Sequence, residues 1–240
     1  MSSDNGGIVV FKKSDNGGIV LTDFKGKATH RVLGNPVSDI VFVIDTTGSM
    51  SDKIQSLLQI CQKFVDGIVD RQIDWRIAVV AFGDLTVHGD KIVATAFSNN
   101  FETVKRSIAN VPMFNGGGNN GESSLEALDK ALSFQAYRPE AIKVFILITD
   151  EPALKRTFKP EQITKRLQQE GVLTFVISDP QNYFKEMAQK TGGKWFQINS
   201  DTNFLSVLDM LFKKITETVV TVQLETEGNV QKYLEIKSGK

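Results

Sequence analysis

The residues best suited to chemistry lie at positions 45–50, which read Asp-Thr-Thr-Gly-Ser-Met. This segment follows directly on an apolar run at residues 40–44, which predicts a strand buried on both faces. Asp45, Thr47 and Ser49 stand at alternate positions, so their side-chain oxygens can turn to the same side. Such oxygens, with no thiol or imidazole among them, are the ligands that Mg²⁺ and similar cations prefer. The segment therefore predicts a divalent-cation site.

A second carboxylate holds an equivalent position later in the chain. Asp150 directly follows an apolar run at residues 144–149, just as Asp45 follows its own run. Open α/β sheets bind their ligands at the carboxyl ends of the strands. If the two strands are neighbours in a parallel sheet, both carboxylates reach the same ion. Without a cation they would repel each other, and one of them would take up a proton.

The elements that must position these residues alternate along the chain. Strands are predicted at residues 40–44, 75–82, 91–97, 144–149, 172–178 and 194–198, with helices between them and a closing helix at about 203–217. The short connection between the second and third strands predicts an antiparallel pair at the sheet edge. The predicted fold class is therefore α/β, a Rossmann-like, doubly wound, mostly parallel sheet with one antiparallel edge strand.

Both ends of the chain predict a small β extension to this domain. Residues 1–37 contain the string Ser-Asp-Asn-Gly-Gly-Ile-Val twice, and each copy pairs a turn signal with a short strand candidate. In residues 218–240, two β-rich runs flank a Glu-Gly-Asn hairpin signal. The predicted organisation is an N-terminal β appendage (1–37), a main domain (38–217) and a C-terminal β hairpin (218–240) that pairs with the N-terminal strands.

The composition narrows the classes of partner and location. The 28 Lys and Arg residues balance the 28 Asp and Glu residues, so we expect no binding to nucleic acid or to anionic lipid. No apolar stretch approaches the ~18 residues that a membrane span needs. The N-terminus lacks the basic and apolar regions of a signal peptide, which predicts a cytoplasmic protein. The single cysteine, Cys61, falls on the apolar side of a predicted helix and is expected to be buried.

The order and spacing of these segments resemble the von Willebrand factor A domains, which include the integrin I domains. The resemblance spans about residues 38–217. Residues 45–49 match the family's Asp-x-Ser/Thr-x-Ser motif, and further matches are Ala-Phe-Gly-Asp at 81–84, the Gly-Gly-Gly loop at 116–118 and Ile-Thr-Asp at 148–150. By this resemblance Asp45, Thr47, Ser49 and Asp150 form a metal-ion-dependent adhesion site, and Asp84 orders a loop beside it.

The family's remaining metal ligand lies in the loop before the middle helix, where relatives carry Thr or Asp. Asn119 is the best-aligned residue here, with Asn120 and Ser123 as alternatives, and its amide offers only a carbonyl oxygen. The resemblance implies a non-enzymatic module that binds Mg²⁺, Mn²⁺ or Ca²⁺ and recognises an Asp or Glu carboxylate of a partner protein. It also implies that movement of the closing helix is coupled to affinity at this site.

Two other functions stay open at this point. A Mg²⁺-dependent phosphohydrolase of the haloacid dehalogenase type also begins with Asp after a central strand, but it needs a second carboxylate two residues on, where Thr47 stands. The two histidines, His30 and His88, lie outside the predicted site, so a nucleophile there has no evident base. Residues 116–123 imitate a phosphate loop, yet Glu122 replaces its lysine. The other alternative is a structural subunit with a vestigial metal site.

Overall fold

The structure is a computed structural model that describes residues 10–13, 19–22, 28–118, 121–133, 136–198 and 203–239. The first three strands are β1 (Val10–Lys13), β2 (Ile19–Thr22) and β3 (Ala28–Leu33). They pair antiparallel, in that order, into a separate three-stranded sheet. This small sheet contains no described strand from the C-terminal end of the chain.

A six-stranded sheet forms the centre of the main domain. Its strands are β4 (Val37–Asp45), β5 (Asp74–Phe82), β6 (Ile92–Ala94), β7 (Ile142–Ile148), β8 (Val172–Ser178) and β9 (Trp195–Gln197), in the spatial order β6-β5-β4-β7-β8-β9. All neighbours pair in parallel except β5 and β6, which are antiparallel. The predicted α/β fold class, with one antiparallel edge strand, is confirmed.

Helices cover both faces of this sheet. They are α1 (Ser51–Asp70), α2 (Phe101–Ala109), α3 (Ser124–Leu132), α4 (Pro160–Gln169), α5 (Asn182–Lys190), α6 (Phe204–Thr226) and α7 (Val230–Ser238). Because strand side chains alternate between faces, Ile40, Phe42 and Ile44 of β4 pack with α1, α2, α6 and α7, whereas Val41 and Val43 pack with α3, α4 and α5. This two-sided burial explains why β4 reads as a continuous apolar run.

The helices bear on two features of the composition, the single cysteine and the lack of a long apolar stretch. Cys61 lies on the inner face of α1, is 2% exposed, and donates its Sγ–H to the Leu58 carbonyl at 3.3 Å. Its expected burial is therefore confirmed. In the part of the chain that the structure describes, no helix combines the length and the apolar character needed to span a bilayer.

The C-terminal region is helical, so the predicted β hairpin at 218–240 is wrong. The closing helix does not stop near residue 217 but continues to Thr226 as α6, which places the predicted domain boundary inside a helix. Leu211, Ile215, Val219 and Val222 are all buried at successive intervals of four, four and three residues. That spacing keeps them on one face of a helix, and the burial outweighs the strand preference of the β-branched residues.

The Glu-Gly-Asn segment connects two helices rather than two strands. Glu227 adopts a left-handed conformation with φ of 56° and ends α6. Asn229 then begins α7, because its side-chain oxygen accepts a hydrogen bond from the Lys232 amide at 2.9 Å. The residues that favour a hairpin turn also favour helix ends, and here the helix-ending role applies.

A buried ion cluster fixes the amino-terminal part of β4. Asp39 is fully buried and accepts hydrogen bonds from Arg76 Nε at 3.0 Å and from Arg138 Nε at 2.9 Å. Its second oxygen also accepts the Arg138 backbone N–H at 2.8 Å. The cluster ties β4 to β5 and to the segment before β7, and so holds the strand that carries the candidate site.

Candidate functional site

The candidate site lies at the carboxyl edge of the central sheet. Asp45 is the last residue of β4, and Asp150 lies two residues beyond the end of β7. These two strands are neighbours that pair in parallel, with Ile44 opposite Ile148, so the condition for a shared ion site is met. Both carboxylates therefore emerge at the same edge, where open α/β sheets bind ligands.

The Asp45 carboxylate is fully buried and held by hydroxyl groups. Its Oδ1 accepts hydrogen bonds from the Thr47 amide at 3.0 Å and the Thr47 hydroxyl at 2.7 Å. Its Oδ2 accepts the Thr149 hydroxyl at 2.7 Å. Burial raises the pKa of Asp45 from 3.8 to about 6, although the hydrogen bonds from Thr47 and Thr149 oppose this rise. Because burial disfavours the charged form of Asp45, an adjacent cation would strongly stabilise that form.

Two hydroxyls connect Asp45 to Asp150. The Thr47 Oγ1 lies 3.5 Å from the Ser49 Oγ, and Ser49 in turn donates to Asp150 Oδ1 at 3.0 Å. The side chains of Asp45, Thr47, Ser49 and Asp150 thus form one continuous chain of oxygen atoms. The local fold produces this arrangement because a 3₁₀ turn at Gly48–Met50 leads directly into α1 and turns the backbone beside the strand end.

Lys53 is a charged member of the site that the sequence analysis missed. Its Nζ donates to Asp150 Oδ2 at 2.9 Å and to the Ser49 carbonyl at 3.0 Å, and both ion-pair partners are mostly shielded from solvent. Residue 53 lies four positions after Ser49, at the start of α1, so one helical turn brings its ammonium back over the loop. The four-residue spacing between Ser49 and Lys53 is the sequence feature from which this contact could have been predicted.

The Gly-rich loop before α3 is described only in part. Asn119 and Asn120, the predicted ligand and its first alternative, lie outside the described residues. Ser123, the second alternative, is 2% exposed and its hydroxyl accepts the Leu85 backbone N–H at 3.0 Å. This hydrogen bond ties Ser123 to the loop that follows β5.

Two acids order the loops around the site. Asp90 accepts hydrogen bonds from the backbone N–H groups of Asn115 and Gly116, at 3.1 and 3.0 Å, and from that of Asp84 at 3.1 Å. The Asp84 carboxylate accepts the amide and the hydroxyl of Thr86, each at 2.8 Å. Asp84 thus orders a loop, as the resemblance implies. Asp90 adds hydrogen bonds that connect this loop to residues 115–116, and the sequence analysis did not identify them.

Glu122 is a second residue that the sequence analysis did not assign to the site. It is 3% exposed, and its Oε2 has no hydrogen-bond partner among the residues that the structure describes. Burial, together with the negative charges of Asp45, Asp84 and Asp90, raises its pKa from 4.5 to about 8. Gly116, at φ of 69°, makes room for this carboxyl group, since a Cβ there would lie 2.9 Å from Glu122 Oε1. This raised pKa favours the protonated form of Glu122 at neutral pH.

We expect the wild type to lose stability as the pH rises from 4.5 to about 8, and we expect Glu122→Gln to remove this loss. The folded-state pKa of Glu122, about 8, exceeds its ordinary value of 4.5, so the folded protein binds more protons between these values. Stability therefore falls as pH rises through this window and stays lower above it. Because Gln mimics the neutral acid, the variant should match the wild type at about pH 4, below the unfolded-state pKa, and exceed its free energy of unfolding above pH 8.

Urea unfolding of the chelator-treated protein across this pH range measures the difference. Glu161→Gln, at an exposed position in the first turn of α4, is the matched control and should leave the pH dependence unchanged. Parallel pH profiles for the wild type and Glu122→Gln would contradict the assignment of a raised pKa to Glu122.

The donor atoms of the site fit a hard cation that keeps part of its water. Among the residues that the structure describes, no three acidic, histidine or cysteine side chains lie close enough to hold one ion. The charged donors are therefore the two carboxylates of Asp45 and Asp150, and the hydroxyls of Thr47 and Ser49 supply neutral oxygens. Few carboxylates combined with neutral oxygens suit Mg²⁺, which retains several waters in protein sites.

Comparisons with known proteins agree with this architecture. Residues 39–211 match the family model described as von Willebrand factor type A domain. Among solved structures, the chain is similar to proximal thread matrix protein 1 from the mussel byssus, at 19% identity and a TM-score of 0.56. That match covers 77% of this chain but 47% of the mussel chain, so it shows a shared fold alone. No curated protein matches the chain.

Proposed function

Because the chain belongs to the von Willebrand factor type A family, whose domains are generally protein-interaction modules, we propose that it binds a partner protein through a divalent cation. In this proposal Asp45, Thr47, Ser49 and Asp150 hold Mg²⁺, or Mn²⁺ or Ca²⁺ in its place. Asn119 contributes a carbonyl oxygen, and an Asp or Glu carboxylate of the partner completes the coordination. The observation that carries the proposal is the continuous chain of oxygens from Asp45 to Asp150.

The electrostatics of the site support a role for a cation. Burial and the neighbouring Asp150 carboxylate raise the pKa of Glu151 and of Asp179, so several acids crowd this edge of the sheet. Without a divalent ion, this group of acids repels a partner's carboxylate. A bound cation supplies positive charge and an open position for an anionic oxygen. Partner binding is therefore expected to depend on metal.

The same geometry favours binding over catalysis. A phosphohydrolase of the type considered above needs a carboxylic acid two residues after its Asp nucleophile. That position carries Thr47, whose hydroxyl donates to Asp45 Oδ1 at 2.7 Å. We therefore propose a non-enzymatic module.

A small carboxylate can stand in for the partner in a direct test. Mn²⁺ added to the chelator-stripped protein should enhance the relaxation of water protons, and acetate should reduce this enhancement by replacing a bound water. Acetamide, which has the same shape without the charge, is the control ligand and should have little effect. Asp45→Asn should abolish the enhancement, whereas Asp52→Asn, at an exposed position in the first turn of α1, should retain it. An equal response to acetate and acetamide would contradict carboxylate recognition.

A further inference from the structure

A groove of about 870 Å³ lies away from the candidate metal site, between α5, the start of β9, α6 and α7. Two glycines before β9 let these elements approach closely. A Cβ on Gly192 would lie 2.8 Å from Leu234 of α7, and one on Gly193 would lie 2.1 Å from the Thr174 carbonyl of β8. The wall that α7 contributes is thus fixed by tight packing on the Gly-Gly turn.

The groove concentrates positive charge in a chain whose formal net charge is zero. Its lining includes one acid, Glu235, and the lysines Lys185, Lys190, Lys194, Lys214 and Lys237. Lys190 pairs with Glu186 at 2.8 Å, and Lys214 pairs with Glu217 at 3.7 Å. The other three lysines have no carboxylate partner among the described residues.

Aromatic rings hold these three lysines in place. The Lys185 Nζ lies 4.6 Å from the centroid of the Trp195 ring, and the Trp195 indole N–H donates to the Ser178 hydroxyl at 3.0 Å. The Lys237 Nζ lies 5.5 Å from the Tyr233 ring, and the Lys194 Nζ lies 5.3 Å from the ring of Phe196. Attraction to the ring faces reduces the conformational freedom of each lysine side chain. Less side-chain entropy is therefore lost when an anion binds.

We propose that this basic groove binds an acidic, extended segment of a protein partner, at a site separate from the candidate metal centre. The ammonium groups of Lys185, Lys194 and Lys237 contact the carboxylates of the segment. The charge of the groove and its concave shape together select a peptide rich in Asp and Glu.

The arrangement of the rings disfavours a nucleic acid as the occupant. Single strands bind when bases stack on open aromatic faces. Here Lys185 lies over the Trp195 ring and Lys237 over the Tyr233 ring, so ammonium groups already contact these rings. A lipid surface is flat, whereas the lysines line a groove. An acidic protein segment satisfies the charges without needing either ring.

The test is a fluorescence anisotropy titration of the full chain with a labelled Glu-rich peptide, in chelator so that the metal site does not contribute. A Gln-rich peptide of equal length is the control ligand. The wild type should bind the Glu-rich peptide saturably, with affinity that falls as salt rises. The variant with Lys185→Glu and Lys237→Glu should bind about tenfold more weakly or worse. Lys105→Glu, which alters a lysine over the Phe101 ring outside the groove, should bind as the wild type does.

Three results would overturn the proposal. They are a lack of saturable binding by the wild type, equal binding of the Gln-rich peptide, and full binding by the double variant. Tighter binding of a single-stranded oligonucleotide or of anionic vesicles, with the same dependence on Lys185 and Lys237, would assign the groove to those ligands instead. The variant with Lys185→Gln and Lys237→Gln, checked by circular dichroism, separates loss of charge from loss of fold. Because chelator is present throughout, the outcome is independent of the proposed metal site.

Discussion

Asp39→Ala is expected to lower the free energy of unfolding by about 3–5 kcal/mol, because it leaves two arginines without their shared buried partner. Asp39 is fully buried at the start of the central strand and accepts hydrogen bonds from Arg76 and from Arg138. The side chains of both arginines are mostly shielded, at 25% and 19% exposed. Solvent therefore replaces the lost carboxylate poorly.

Urea unfolding followed by circular dichroism measures this change. Asp74→Ala is the matched control, because Asp74 also pairs with Arg138, at 2.9 Å, but is 58% exposed. It should cost less than about 1 kcal/mol. A loss for Asp39→Ala as small as that of the control would show that the cluster does not fix β4.

Lys53→Met is expected to increase the affinity of the protein for Mg²⁺ by about tenfold or more. The Lys53 ammonium lies 2.9 Å from Asp150 Oδ2, so a cation of the protein itself competes for a proposed metal ligand. Removing a unit charge a few ångströms from the ion is worth roughly 1–4 kcal/mol near a protein surface, and about 1.4 kcal/mol is a factor of ten.

Calorimetric titration with Mg²⁺ gives the dissociation constants for this comparison. Lys53→Arg keeps a cation at the position and should bind Mg²⁺ weakly, like the wild type. Lys63→Met, which removes an exposed lysine of the same helix, is the second control and should leave the affinity unchanged. A Lys53→Met variant that binds Mg²⁺ no better than the wild type would mean that Lys53 does not compete for Asp150.

The central sheet was predictable because the apolar residues of its strands are themselves typical of buried strands. β4 is buried on both faces, so its residues had to be apolar without alternation, and the two carboxylates mark where β4 and β7 end. The C-terminal region gave the opposite result. Val219, Val220 and Val222 favour strands locally, yet the packing of α6 against α1 in the core sets their conformation. Local preference decides only where tertiary burial does not oppose it.

The site was predictable to the extent that its residues lie on one short loop. Asp45, Thr47 and Ser49 follow one another at alternate positions, and Asp150 repeats the position of Asp45 on a second strand. Lys53 and Glu122 were missed because their roles depend on where the side chains come to rest in three dimensions. The ammonium of Lys53 folds back over the loop, and the carboxyl group of Glu122 is buried among other acids.

The most direct test of the proposed function is a calorimetric titration of the chelator-stripped wild type and Asp45→Asn with Mg²⁺. Asn keeps the shape of the buried side chain and removes its charge, and Asp52→Asn is the exposed control on α1. The proposal predicts one saturable site in the wild type and in Asp52→Asn, and no measurable binding by Asp45→Asn. Equal Mg²⁺ binding by all three proteins, or none by the wild type, would contradict a metal centre at the end of β4.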